Sequence, residues 1–137
     1  MTTLPADVRP AKITHTDAMS VIDQSAAATW DSAVAAYRAA KANDDAYTAA
    51  HIDPPLRGLP PGPIMSAATD TIPACVWAEA QRLCEELTHA EDTLMDLPSP
   101  HAFGFAMKYL VAHGDGRETD CWNTMLAAEA IRFAKEA

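Results

Sequence analysis

Seven apolar residues, Val76, Ala80, Leu83, Leu87, Ala90, Leu94 and Leu97, recur at spacings of 4, 3, 4, 3, 4 and 3, and no other feature constrains the fold as much. This repeat lines one stripe of an α-helix, whereas a strand would scatter the same residues over both faces. It predicts a helix over about 73–97 that packs along its whole length. Pro73 suits the first turn, and Leu97-Pro98 closes the other end because proline disfavours helical geometry in the residue before it. Leu87 and Leu94 then take heptad position a, with Leu83, Ala90 and Leu97 at d.

A second, longer stripe precedes it. Met19, Ile22, Ala26, Trp30, Ala33, Tyr37, Ala40, Asp44, Tyr47 and His51 follow spacings of three and four, which predicts a helix over about 20–52. Alanine favours the helix and lets a partner come close, while Trp30, Tyr37 and Tyr47 supply the large buried areas. Asn43-Asp44-Asp45 are poor helix formers, and a kink is expected there with Asp44 turned to water. Ser99-Pro100 reads as an N-cap followed by proline at the first position of a third helix to about residue 113. Its inward residues are expected to be Phe103, Met107, Leu110 and Val111. Gly114-Asp115-Gly116 reads as a turn, and a fourth helix over about 119–135 buries Trp122, Met125, Leu126 and Phe133. Residues 1–17 read as a loose arm, and 53–72 as a proline-rich connector without periodicity.

These elements predict one all-α domain over 18–137, a long antiparallel helical hairpin with two shorter C-terminal helices in a helical bundle. Scarce glycine, 5 in 137 residues, and 10 prolines placed mostly outside the periodic segments agree with that class. Two short helices leave much of a hairpin about 45 Å long uncovered. A homodimer is therefore expected, with Trp30, Tyr37, Tyr47, Leu83, Leu87 and Leu94 as core and dimer stripe.

The Trp30-x-x-Ala33-x-x-x-Tyr37-x-x-Ala40 stretch, the proline-rich connection, the closing Leu97-Pro98-Ser99-Pro100 and a last helix with Trp122 carry a resemblance. Over about residues 28–135 the chain resembles small helical proteins that recur in alphaproteobacterial genomes and prophage-like regions. The resemblance implies a helical fold and a phage or accessory-gene character. That group has no known activity, so it assigns no functional residue.

With 19 acidic and 10 basic residues the net charge is -9. Nucleic-acid binding through a basic face needs clustered Lys and Arg, and the ten basic residues do not cluster, so neither nucleic acid nor an anionic membrane is an expected partner. No run approaches bilayer-spanning length, and MTTLPADVRPAKITHTD lacks the apolar stretch of a signal peptide. The three cysteines form no C-x-x-C pair; Cys75 and Cys84, nine residues apart, fall on opposite faces of one helix and cannot bridge. A cytoplasmic, reducing setting is expected.

Little in the chain reads as chemistry. Glu86-x-x-His89 is half of the pattern that di-iron helical bundles use, but no second Glu-x-x-His exists. Glu85, His89 and Asp92 share one outer strip at i, i+4 and i+7, a weak surface candidate for a metal. That strip reads better as a solvated, acidic, partner-binding surface with Glu85, Glu86, Glu91, Asp92 and Asp96. Arg57-Gly-Leu-Pro60-Pro-Gly-Pro63 has the R-x-x-P-x-x-P form that SH3-type domains recognise when it is laid out as a polyproline helix. No catalytic residue and no cofactor are assigned. The expected function is a non-enzymatic helical interaction or scaffold protein. The alternative is a phage-borne acidic inhibitor, of anti-CRISPR or DNA-mimic type, of a host defence or nucleic-acid-binding enzyme. A metal-dependent helical enzyme is a third, weaker reading.

Overall fold

The computed structural model describes residues 15–114 and 120–137, with side chains from 24 onward. The first fourteen residues of the expected arm and the Gly114-Asp115-Gly116 turn beyond its first glycine lie outside the described residues. The fold is all-α. Among the described residues six helices follow in order: α1 (His15–Tyr47), α2 (Asp53–Leu56), α3 (Pro63–Asp70), α4 (Ala74–Asp96), α5 (Ala102–Gly114) and α6 (Asp120–Glu136), with a π-helical turn, Thr48–Ile52, between the first two.

The periodic stripes place α1 and α4 side by side. Leu83, Leu87, Ala90 and Leu94 are all buried on α4, as are Trp30 and Ala33 on α1. Trp30 meets Leu94 and Met95 near the end of α4, while Tyr47 lies within electrostatic reach of Glu79 and Cys75 near its start. The two helices therefore run antiparallel. The Pro73 carbonyl accepts the first helical bonds of α4 from the N–H groups of Val76 and Trp77 at 3.0 and 3.3 Å, and Pro73 precedes the helix rather than standing in its first turn.

Three local expectations are corrected. The helix does not break at Asn43-Asp44-Asp45; it continues to Tyr47 and widens only at Thr48–Ile52. The cause lies in Pro54 and Pro55, which donate no hydrogen bond and crowd the carbonyls four residues back, at Ala50 and His51. Tyr47 and His51 stack beside the widened turn with ring centroids 4.4 Å apart. The connector is not structureless, since α2 with 4 residues and α3 with 8 occupy more than half of it, each with proline in its first turn.

The third correction concerns α5. Ser99 is not its N-cap, because the helix starts at Ala102 and the His101 ring accepts instead, with Gly104 N–H donating to Nδ1 at 2.8 Å. Phe103 and Leu110 point outward, 72% and 69% exposed, while Gly104, Lys108, Val111 and Ala112 face the core. Gly104 explains the orientation: a Cβ there would stand 2.8 Å from Cζ2 of Trp30, so only glycine lets α5 come this close to that ring. On α6 Trp122 and Leu126 are buried as expected. The central cluster joins Trp30, Ala33, Leu94, Met95, Val111, Ala112, Trp122 and Leu126, at the end where α1 is early and α4 late.

Candidate functional site: the open face of the long helical pair

α5 and α6 cover one side of the α1–α4 pair and only one end of it. Beneath them α4 buries Glu91 and Met95, four residues apart and so on one flank. Among the described residues the opposite flank is open. There Ser25, Thr29, Ser32, Ala36, Ala40 and Asn43 form one wall of a groove of about 1040 Å³, and Arg82, Glu85, Glu86, His89 and Thr93 form the other. Its floor is Ala33, Ala90 and Leu97.

The groove is less polar than its composition suggests. Thr29 Oγ1 donates to the Ser25 carbonyl at 3.0 Å and Thr93 Oγ1 to the His89 carbonyl at 2.9 Å. Each hydroxyl is thus spent on its own helix, and the methyl group is left as contact surface. Charge is confined to the α4 rim. Arg82 donates to Glu79 at 2.6 Å and also pairs with Glu86, while Gln81 Nε2 donates to Glu85 at 3.1 Å. The Arg82 hydrogen bond, and then its charge, hold the Glu79 carboxyl below the usual carboxylate range against the opposing effect of burial.

A second polar cluster lies under α5 and α6. Lys108 is fully buried, and its Nζ donates to the Leu97 carbonyl at 2.7 Å and to Glu129 Oε1 at 2.9 Å, with Met125 Sδ at 3.9 Å. Glu129 also accepts from Ser99, from N–H at 2.9 Å and from Oγ at 2.6 Å, and Arg132 donates to the Ser99 carbonyl at 2.6 Å. Burial pushes the Glu129 carboxyl up, but the bonds from Ser99 and Lys108 and the Lys108 charge outweigh it and hold the group low. Among the described residues no buried side-chain nitrogen or oxygen lacks a partner. The cluster clamps Leu97-Pro98-Ser99-Pro100 to both short helices, so its chemistry is spent on architecture.

The candidates from the sequence separate accordingly. Glu85, Glu86 and His89 stand exposed on the groove rim and Asp96 is exposed near the end of α4, whereas Asp92 is half-buried. Glu91 is corrected: at 1% exposure under α5 and α6 it is not part of an outer strip. Glu85, His89 and Asp92 do not converge on a metal, since among the described residues no three His, Cys, Asp or Glu side chains form such a group. The stripe of Trp30, Leu83, Leu87 and Leu94, with half-buried Tyr37 and Tyr47, is consumed within the chain and offers no dimer seam. All three cysteines are exposed.

Arg57, Pro60 and Pro63 are exposed, yet they are not laid out as a polyproline helix. Gly58 and Gly62 take φ of 76° and 129°, and Pro63 already opens α3. The SH3-type reading is corrected on that ground, because docking would require the first turn of α3 to unwind.

Lys108, Glu129 and Ser99 were not anticipated as a unit, although signals exist. Lys108 is the only Asp, Glu, Lys or Arg between Asp96 and Asp115, and Glu129 sits on the Trp122, Leu126, Phe133 stripe.

No helix among the described residues is long and apolar enough to cross a membrane. Compared with models of known families, with curated proteins and with solved structures, the chain finds no match.

Proposed function

We propose that this chain is a non-enzymatic helical interaction protein whose working surface is the open face of the α1–α4 pair. One observation carries the reading: a face two helices wide, walled on α1 by small uncharged side chains from Ser25 to Asn43, is left uncovered by the other described residues. Small residues admit close approach of another backbone, and the floor of Ala33, Ala90 and Leu97 gives that approach an apolar contact. The buried charges support the reading from the other side, since Lys108 and Glu129 are committed to each other and to the Leu97–Ser99 link.

The net charge of -9 favours a second reading, the phage-borne acidic inhibitor that occupies a basic channel. It predicts a basic partner whose affinity falls steeply with salt, whereas apolar docking on the open face is nearly salt-insensitive. The mixed signs on the groove rim favour the first reading.

A photo-crosslinking side chain in place of Ser32 tests it in the native host. An adduct at Ser32 and none from the same group at Ala127, an exposed position on α6, is the expected result. Adducts at Ala127 alone would overturn the reading.

A further inference from the structure

We infer that the open α1–α4 face docks a second copy of this chain, the two faces meeting about a two-fold axis as a four-helix layer. The inference rests on the reading of that face as the working surface and adds its occupant.

Size is the first argument. From Ser25 to Asn43 the α1 wall runs nineteen residues, about 27 Å from first to last at 1.5 Å per residue, and two packed helices present a face about 20 Å wide. That is on the order of 500–600 Å² on each copy before the ridges of the helices are counted. Two such faces bury a total of about 1,000–1,200 Å², at the threshold of a specific protein–protein interface. The outward strip of Phe103 and Leu110 on α5 is a single helix wide and falls well short of it.

Self-complementarity is the second. A two-fold interface sets the same patch against itself, so the patch must carry either no charge or both signs. The α1 wall of Ser25, Ala28, Thr29, Ser32, Ala36, Ala39, Ala40 and Asn43 carries none, and the α4 rim carries Arg82 beside Glu85 and Glu86. At a net charge of -9 most of the surface repels a second copy, which makes a patch of mixed sign the favourable place for contact. The side chains matter too: alanine and serine lose almost no rotamer freedom on docking, so the cost of ordering this face is small.

Of the stripe expected to pair two copies, Trp30, Leu83, Leu87 and Leu94 are buried inside each of them. Dimerisation through the opposite flank keeps that core intact and needs no rearrangement.

Sedimentation equilibrium of the full chain gives the test. A dimer dissociating in the micromolar range or below is expected, as for weak interfaces of this class. Ala36→Arg, at the middle of the wall, sets like charges against each other across the axis and is expected to weaken the dimer more than about a hundredfold. Ala36 is exposed in the single chain, so unchanged helicity by circular dichroism separates this effect from misfolding. Phe103→Ser is expected to leave the dimer intact. A wild-type chain that stays monomeric, or a dimer lost in Phe103→Ser and kept in Ala36→Arg, overturns the inference. The Ser32 crosslinker distinguishes the two levels of failure. A self-adduct supports both claims, an adduct with a different protein overturns the second copy but leaves the working face, and no adduct at all overturns both.

Discussion

The two ends of the α1–α4 pair share helices but not the means of holding them. At one end Trp30, Leu94 and Met95 sit under α5 and α6 with Val111, Ala112, Trp122 and Leu126, and a buried Lys108–Glu129 pair ties the link between α4 and α5 to both short helices. At the other end α1 widens into a π turn, α2 is only four residues long, and α3 buries none of its residues. Ile72 and Leu83 are the buried apolar residues there. Packing density, not helix length, thus divides the molecule: one end is cross-linked in three dimensions and the other is held along a single seam. Local opening is expected at the second end first, and hydrogen exchange should find amides of Thr48–Asp70 least protected.

The largest blow to this contrast is a cut in the buried pair. Lys108→Met leaves the Glu129 carboxylate buried with only Ser99 to stabilise it, and removal of one partner from a buried pair typically costs about 3–5 kcal/mol. Urea unfolding of the variant should show that loss, while Lys108→Met combined with Glu129→Met should recover most of it, because two apolar side chains of similar volume replace two desolvated charges. A single substitution costing under about 1 kcal/mol would put Lys108 in the class of surface ion pairs and erase the difference between the ends.

The next largest effect tests the close approach of α5. Gly104→Ala places a Cβ against the buried Trp30 ring, at 2.8 Å from Cζ2, and that ring is a rigid neighbour rather than the tip of a flexible chain. Overpacking of this kind costs about 1–3 kcal/mol despite the better helix propensity of alanine. Thermal unfolding should show a lower midpoint. A higher midpoint would mean that α5 has room to retreat.

Legibility in the sequence divided along the same line. The α4 stripe was readable because it is a long periodic run, and Leu83, Leu87, Ala90 and Leu94 are where the heptad puts them; the α1 stripe held only at its centre, where Trp30 and Ala33 are buried, while Ala26 and His51 are exposed. The short helices were read by hydrophobicity alone, and α5 came out rotated. Phe103 and Leu110 are larger apolar residues than Gly104 and Ala112, but the helix turns by what must fit closest and by what Lys108 must reach, neither of which periodicity records. Burial of Glu91 has the same origin: α4 alone makes it a flank, and only the tertiary placement of α5 and α6 covers it. The open groove was invisible for the opposite reason, since alanines and serines signal helix and say nothing of which flank stays bare.

Acid gives a smaller and graded effect at the clamped end. Glu129 has its folded pKa held low by Ser99 and Lys108, so between that value and the ordinary value of about 4.3 the unfolded chain binds the extra proton. Stability therefore rises with pH through this window; it is fully present above about pH 5 and is lost as pH falls toward the folded pKa. Urea midpoints followed downward from neutral pH should drop in the wild type. Glu129→Gln, with no carboxyl to titrate, should start lower and fall less over the same range. Equal slopes would mean that other carboxylates carry the acid sensitivity and that the buried pair is not its source.

The smallest effect comes from the same chemistry in the other setting. Arg82 is bonded to Glu79 and Glu86 on the exposed rim of α4, with side-chain exposures of 54%, 37% and 51%. Its geometry is as good as that of Lys108 with Glu129, and Glu79 is likewise held low, here chiefly by the Arg82 hydrogen bond. Solvent screens the charges and three long side chains must be ordered to make the contacts, so Arg82→Gln should leave the urea midpoint of the single chain within error of the wild type. The Glu79 carboxyl, followed by NMR, should nevertheless titrate higher in the variant. Movement of the titration without movement of the midpoint would establish that the pair is formed and contributes little. If the midpoint instead fell as far as in Lys108→Met, then the rim would be desolvated in the sample, which is what a second copy lying over the open face would do, and repetition at concentrations below the dimer dissociation constant should abolish the difference.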